Sequence, residues 1–313
     1  MASSGQWIFM STAASKGTKI ISRNSIRKQV PHVRAARCLM GGGRMNNPYR
    51  TFFGLQREPF GQDVSVKEIL KTPELTAVKA RFDYVLRLGA IGLVTGEVGS
   101  GKTTALRYAL EQLHPSEYRS LYITASSGSI MEFYRQFVDA LGLRLSSNSR
   151  AVMVRSIKKE ITDLVHEKKL KIILIVDEAS LMRLEVFAEL HTICQFEKDS
   201  RPWLPIILAG QNALSDKLLY RSSQPLASRI VAKSHLEGVD LHGMESYLQH
   251  HLTLSGINRM LFDPTAVTAI HQGSGGLFRK ANHLARGALI AAAHDQSAMV
   301  NADHVRIAST EIF

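Results

Sequence analysis

The chain has 313 residues, 45% hydrophobic and 21% charged, a balance that fits a globular protein of one large or two modest domains and excludes a disordered or collagen-like chain. Its longest apolar runs, Ile172–Val176 and Ala288–Ala293, fall far short of the roughly 20 residues a membrane-crossing helix needs, so no membrane segment is expected. The net charge of +12 is concentrated at the front: residues 1–44 hold eight Lys/Arg and no acid, leaving 31 basic against 27 acidic residues in a mildly basic body that permits nucleic acid as a partner without requiring it.

Residues 1–44 are rich in Ser, Gly and Arg and have no period. Three readings fit: a basic arm that touches nucleic acid, a transit peptide, or translated upstream sequence with Met45 as the natural start. The third is favoured, because Gly41-Gly42-Gly43 reads as a break and a patterned stretch begins at Asn46-Asn47-Pro48-Tyr49. An apolar lead-in follows (Phe52, Phe53, Leu55, Pro59, Phe60). Periodicity then predicts a helix over 74–88, a buried strand over 91–95, a helix over 102–113 and a strand over 121–124. Helices over 130–141 and 151–168, a buried strand over 171–176, a helix over 184–197 and a strand over 206–209 come next, with a last strand after Arg229. Such alternation predicts an α/β fold, a parallel sheet covered by helices on both faces. Beyond about Gly238 only helices are predicted, over 243–254, 264–272, 276–294 and 302–310. The expected organisation is an extension (1–44), an α/β domain that includes the lead-in (45–238), and a small all-helical lid (239–313).

Cys38 and Cys194 form no CxxC motif. Cys194 shares an apolar helical face with Leu184, Phe187 and Leu190 and reads as core, which fits a reducing cytoplasm. No His/Cys cluster has zinc spacing, and the adjacent His250 and His251 do not share a helix face.

Chemistry concentrates at the strand ends. Gly96-Glu97-Val98-Gly99-Ser100-Gly101-Lys102-Thr103, followed by Thr104, fits GxxxxGK[ST], after a buried strand and before a helix. Glycines let backbone amides turn inward toward phosphate oxygens, and the helix N-terminus adds about half a positive charge. Lys102 brings a full charge to the β- and γ-phosphates, and the Thr103 hydroxyl can ligate Mg²⁺. The strand Lys171–Val176 ends in Asp177-Glu178, where open parallel sheets bind their ligands. Asp177 is placed for Mg²⁺ and Glu178 for the attacking water as general base; the second acid favours ATP hydrolysis over phosphoryl transfer to another substrate. After the strand 206–209, Gln211 is the first candidate to touch the γ-phosphate and Asn212 the second. Arg229 and Arg221 are each candidates for an arginine finger entering a neighbouring subunit's site. Arg279 sits in the first turn of a helix, where a cation is locally unfavourable, which suggests that it reaches an anion.

The stretches YRTFFGLQREPF (49–60), GEVGSGKTT (96–104), VDEASL (176–181), LAGQNAL (208–214) and SGGLFRKAN (274–282) together resemble the ExeA/GspA-like AAA+ ATPases, over nearly all of 45–313. That family has two settings, a secretion-pathway ATPase with a transmembrane helix and a short ATPase encoded beside a transposase, similar to the TnsC, TniB and IstB helpers. The chain stops soon after the lid, so the second is expected. The resemblance implies a nucleotide-gated homo-oligomer that binds duplex DNA and recruits or activates a transposase. It implies the roles above for Lys102, Thr103, Asp177 and Glu178, and matches Arg229 to the finger and Arg279 to the second sensor. Phe278 stands where the family usually has proline, and Ser180 where glutamine is common. Lys158, Lys159, Lys168, Lys169 and Lys171 are candidate DNA contacts. The competing reading is an assembly switch in secretion that never meets DNA.

Overall fold

A computed structural model describes residues 48–311. The reading of residues 1–44, with Cys38 and the start at Met45, lies outside the described residues. A short helix α1 (Pro48–Phe53) leads to α2 (Pro73–Leu88), β1 (Ile91–Gly96), α3 (Lys102–Glu111), β2 (Tyr118–Thr124), α4 (Ile130–Leu141), α5 (Arg150–His166) and β3 (Lys171–Asp177). Then come α6 (Leu184–Ile193), β4 (Ile206–Gly210), α7 (Ala213–Leu219), α8 (Gln224–Ala227) and β5 (Ile230–Leu236). Helices α9 (Leu241–Leu254), α10 (Pro264–Ser274), α11 (Phe278–His294) and α12 (Ala302–Glu311) follow.

The five strands form one parallel sheet in the order β2-β3-β4-β1-β5. Position in that order explains what the sequence displays. The central strands β1 and β4 are buried along their whole length, and β3 is buried after Lys171, so they read as unbroken apolar runs. The edge strands β2 and β5 alternate between buried and accessible residues. For this reason Tyr118, Arg119 and Ser120 carry no strand signal, and β2 starts three residues earlier than its apolar part predicts.

Alternate residues feed two cores. Leu93, Leu121, Leu174, Val176 and Leu208 face α4, α5 and α6, whose Phe137, Ile157 and Phe187 are fully buried. Val94, Ile173, Ile175 and Ile207 face α2 and α3, against Phe82, Val85 and Leu106. Helix α2 has a clear start and stop: the Thr72 hydroxyl accepts from the Leu75 amide at 3.2 Å, and Gly89 ends it in the left-handed region. Cys194 is buried at the end of α6, as its helical face predicts.

A third core joins α9–α12 through Leu248, Leu252, Ile270, Leu284, Leu289 and Val305. Tyr49, Phe53, Leu55 and Phe60 belong to this core. Chain order groups the lead-in with the α/β part; the structure packs it on the helices. Phe60 stacks on His251 of α9, and Arg286 of α11 holds the Phe60 carbonyl at 2.7 Å. No helix among the described residues is long and apolar enough to cross a membrane.

Candidate nucleotide site

The glycine-rich turn between β1 and α3 forms as its spacing predicts. Gly99 and Gly101 take φ of 88° and 93°, values that favour glycine. Gly96 has no room for a side chain, since a Cβ there would stand 2.4 Å from the Leu236 carbonyl oxygen. Helix α3 starts at Lys102 from Gly101 with no side-chain cap, so its first amides remain available to an anion. Lys102 is 6% exposed. Its ammonium donates to the carbonyl oxygens of Gly96 and Glu97, at 2.9 Å each. Burial pushes the Lys102 amine below the ordinary lysine value, and the carboxylates of Glu178, Asp177 and Glu97 oppose that shift.

The end of β3 meets this turn. Asp177 Oδ2 accepts from the Thr103 hydroxyl at 2.8 Å and from the Tyr122 hydroxyl at 2.6 Å, while Oδ1 accepts from the Glu178 amide at 2.8 Å. Burial and the bond to Asp177 raise the Tyr122 phenol, so it stays protonated and donates. Glu178 has φ 52° and ψ 31°, a left-handed backbone that is costly for a side-chain-bearing residue and is often found at functional sites. The turn after it, Ala179–Leu181, is held from two sides. The Lys217 ammonium of α7 donates to the Ser180 and Met182 carbonyls at 2.6 and 2.7 Å, and Gly210 lies so close that a Cβ would be 2.8 Å from the Ser180 amide nitrogen.

Above the turn lies a cavity of about 490 Å³, a volume in the range of small-molecule sites. Gly99 through Thr104, Glu178 and Arg279 line it, with Tyr247 and His250 of α9 on the far wall. The lid touches the loop itself: the Arg279 amide donates to the Gly99 carbonyl at 3.3 Å, and a Cβ on Gly101 would be 3.4 Å from the Phe278 ring. Phe278 also packs on Tyr247, with ring centroids 4.5 Å apart. The position where the resemblance expects proline thus carries a ring wedged between loop and lid.

Other candidates separate. The Asn212 amide donates to Glu97 Oε1 at 2.9 Å, and neither Asn212 nor half-buried Gln211, the first choice from sequence, lines the cavity. Arg229 stands at the amino end of β5, where its carbonyl accepts from the Ile91 amide. That is the edge of the sheet opposite the phosphate loop, and its guanidinium pairs with Asp199. Arg221 is exposed in the link between α7 and α8. Neither arginine lines the cavity. Two of the candidate DNA lysines have local work: Lys158 donates to the Thr192 and Gln195 carbonyls at 3.1 and 2.9 Å, and Lys171 lies over the Tyr118 ring.

Sequence reading missed three groups. Tyr122 and Lys217 reach the acidic strand end from elsewhere in the chain. His250, set aside as half of a histidine pair, contacts the Glu68 carbonyl at 2.6 Å, and both residues line the cavity. The residues present suit a nucleotide with a hard divalent ion: a hydroxyl and a carboxylate 2.8 Å apart beside a buried ammonium.

A parallel sheet carrying a phosphate loop, an acidic strand end and a helical cover defines a P-loop fold of the AAA+ kind. Residues 86–218 match the family model described as the AAA domain. It is 30% identical over 247 residues to general secretion pathway protein A of Aeromonas hydrophila, which covers 78% of this chain and 45% of that protein. The chain therefore spans about half the length of this curated relative. Among solved structures it resembles Cdc6p of Pyrobaculum aerophilum (TM-score 0.63, 15% identity, covering 81% of this chain and 70% of that one). It also resembles the ORC1 protein of Aeropyrum pernix in complex with DNA (TM-score 0.60, 18% identity, 80% and 68%). A third is Drosophila ORC bound to DNA (TM-score 0.58, 16% identity, 91% and 70%). At such identities the likeness is one of fold.

Proposed function

We propose that the chain binds ATP with Mg²⁺, hydrolyses it, and uses the bound nucleotide to assemble on duplex DNA, where it recruits or regulates a transposase. Lys102, Thr103 and Glu178 line one cavity, and Asp177 is hydrogen-bonded to Thr103 at its margin; this grouping carries the enzymatic part of this reading. Lys102 exchanges its bonds to the Gly96 and Glu97 carbonyls for phosphate oxygens, and the uncapped amides of α3 add their dipoles. Thr103 and Asp177 would hold Mg²⁺, which neutralises charge on the phosphates. Glu178 orients the attacking water and accepts its proton, and Gln211, with Asn212 the alternative, senses the γ-phosphate. Arg279 carries the presence of the phosphates into α11. Arg229 acts on the site of a neighbouring subunit, with Arg221 the alternative. Leu219 and Tyr220, 77% and 57% exposed beside Arg221, give a second copy an apolar tip to cover.

The DNA-bound origin-recognition structures that share the fold support the DNA partner, and the motif resemblance supports the transposase. The 30% identity to general secretion pathway protein A favours a second reading, an ATPase-driven assembly step in secretion without DNA. One experiment separates them: ATP turnover with and without duplex DNA, together with sedimentation in a slowly hydrolysed analogue. DNA-stimulated turnover and nucleotide-dependent co-sedimentation are expected, with affinity falling with salt at a log–log slope of about −0.9 per phosphate contacted. Turnover indifferent to DNA favours the secretion reading. Absence of Mg²⁺-dependent ATP binding overturns both.

A further inference from the structure

Asp177 accepts three hydrogen bonds, and two of them come from its own surroundings in the motifs: the Glu178 amide and the Thr103 hydroxyl. The third comes from β2. Tyr122 is 39% exposed on the edge strand, so burial alone does not explain where its side chain goes. Strand register explains it: Thr124 pairs with Asp177 and Tyr122 with Ile175, so the phenol runs along the strand past one residue pair to the carboxylate. It reaches Oδ2, the same oxygen that Thr103 reaches. A carboxylate oxygen with a donor on each side cannot swing about its side-chain bond without breaking both contacts.

We infer that Tyr122 is a positioning residue for the metal-binding carboxylate and sets the Mg²⁺ affinity of the nucleotide complex. This rests on the nucleotide reading above. If Mg²⁺ binds there, the Thr103 hydroxyl turns to the ion, and Tyr122 becomes the side chain that keeps Oδ2 aimed. Donors behind a ligating group typically change metal affinity by 10–100-fold when removed.

The test is Tyr122→Phe in the full chain, which removes one oxygen. Binding of a fluorescent ATP analogue is titrated with Mg²⁺ and repeated in excess EDTA. The Mg²⁺ concentration for half-saturation should rise by about 10–100-fold, while metal-free affinity stays within about twofold. An unchanged Mg²⁺ midpoint, beside a wild type that responds strongly to Mg²⁺, overturns the inference. So does an equal loss with and without the metal, which marks a merely structural contact. A wild type indifferent to Mg²⁺ overturns the nucleotide reading itself. If Tyr122→Phe folds poorly, Tyr122→Met keeps the bulk without the donor and is judged by the same two numbers.

Discussion

Replacing Lys217 by methionine removes the fastening of the turn that carries Glu178. The ammonium is half-buried and holds two carbonyls, of Ser180 and Met182, at 2.6 and 2.7 Å. Hydrogen bonds from a charged donor contribute about 1.5–3 kcal/mol each when buried; water replaces part of that at a half-exposed site, leaving about 2 kcal/mol for the pair. For a domain of this size that lowers Tm by about 4–8 °C. The functional loss should be larger than the stability loss implies. Glu178 is held in a left-handed backbone that costs about 1–3 kcal/mol, and a loosened turn relaxes toward ordinary geometry and carries the carboxylate away from the cavity. ATP turnover should fall at least about tenfold, equivalent to about 1.4 kcal/mol of barrier. ATP affinity depends on Lys102 and the α3 amides and should hold. The assay pairs thermal melting by circular dichroism with steady-state turnover and equilibrium ATP binding, and Lys217→Arg should recover most of both. Full turnover in a methionine variant that melts early would refute the reasoning, because Glu178 would then keep its place without the lysine.

Three further outcomes are expected. His251 is buried against Phe60 and Tyr247, and burial pushes its imidazole down to about 4, with His250 and Arg57 adding repulsion. A depressed folded value means that the unfolded chain binds the proton first, so this stability is present above about pH 6.5 and is lost as pH falls toward 4, about 3 kcal/mol in all. Urea midpoints should drop between about pH 7 and pH 4.5, and His251→Phe should flatten that dependence; an unchanged slope would refute it. Arg229→Ala breaks a surface pair with Asp199, so stability should fall by less than about 1 kcal/mol while turnover collapses. Mixing it with Glu178→Gln subunits should restore part of the activity, and no recovery would remove the trans role. Gly99→Ala puts a Cβ 2.7 Å from that of Arg279 at φ 88°, so it should weaken ATP binding and lower Tm together; a variant with wild-type binding would mean that the lid can lift off the loop without penalty.

What the sequence made legible is what is contiguous. Eight residues in a row, with a strand before and a helix after, specify the phosphate loop. The acids follow an apolar run that only a central strand needs. The central strands β1, β3 and β4, buried apart from Lys171, announced themselves for the same reason. What stayed hidden depends on register and on short polar segments. Tyr122 lies 55 residues from Asp177 and meets it only because β2 and β3 pair in parallel. Lys217 sits on α7, a seven-residue helix too short to show a period. The bond from Asn212 to Glu97 was equally hidden, because the two residues lie 115 positions apart. Lys158 and Lys171 looked like free charge because carbonyl and ring partners leave no mark on a charge run. The lead-in was assigned by adjacency along the chain, while its apolar rings found their match in α9 and α11.

That last packing has a mechanical outcome. Because Tyr49 through Phe60 share the helical core, the backbone passes between that core and the sheet twice, over 61–72 and again near Gly238, where a Cβ would meet the Gly275 carbonyl at 2.1 Å. A body joined at one point can wobble in any direction. One joined at two points turns most easily about the line through both, as a door does on paired pins. Any movement of the helical core over the cavity would be easiest as a rotation about that line.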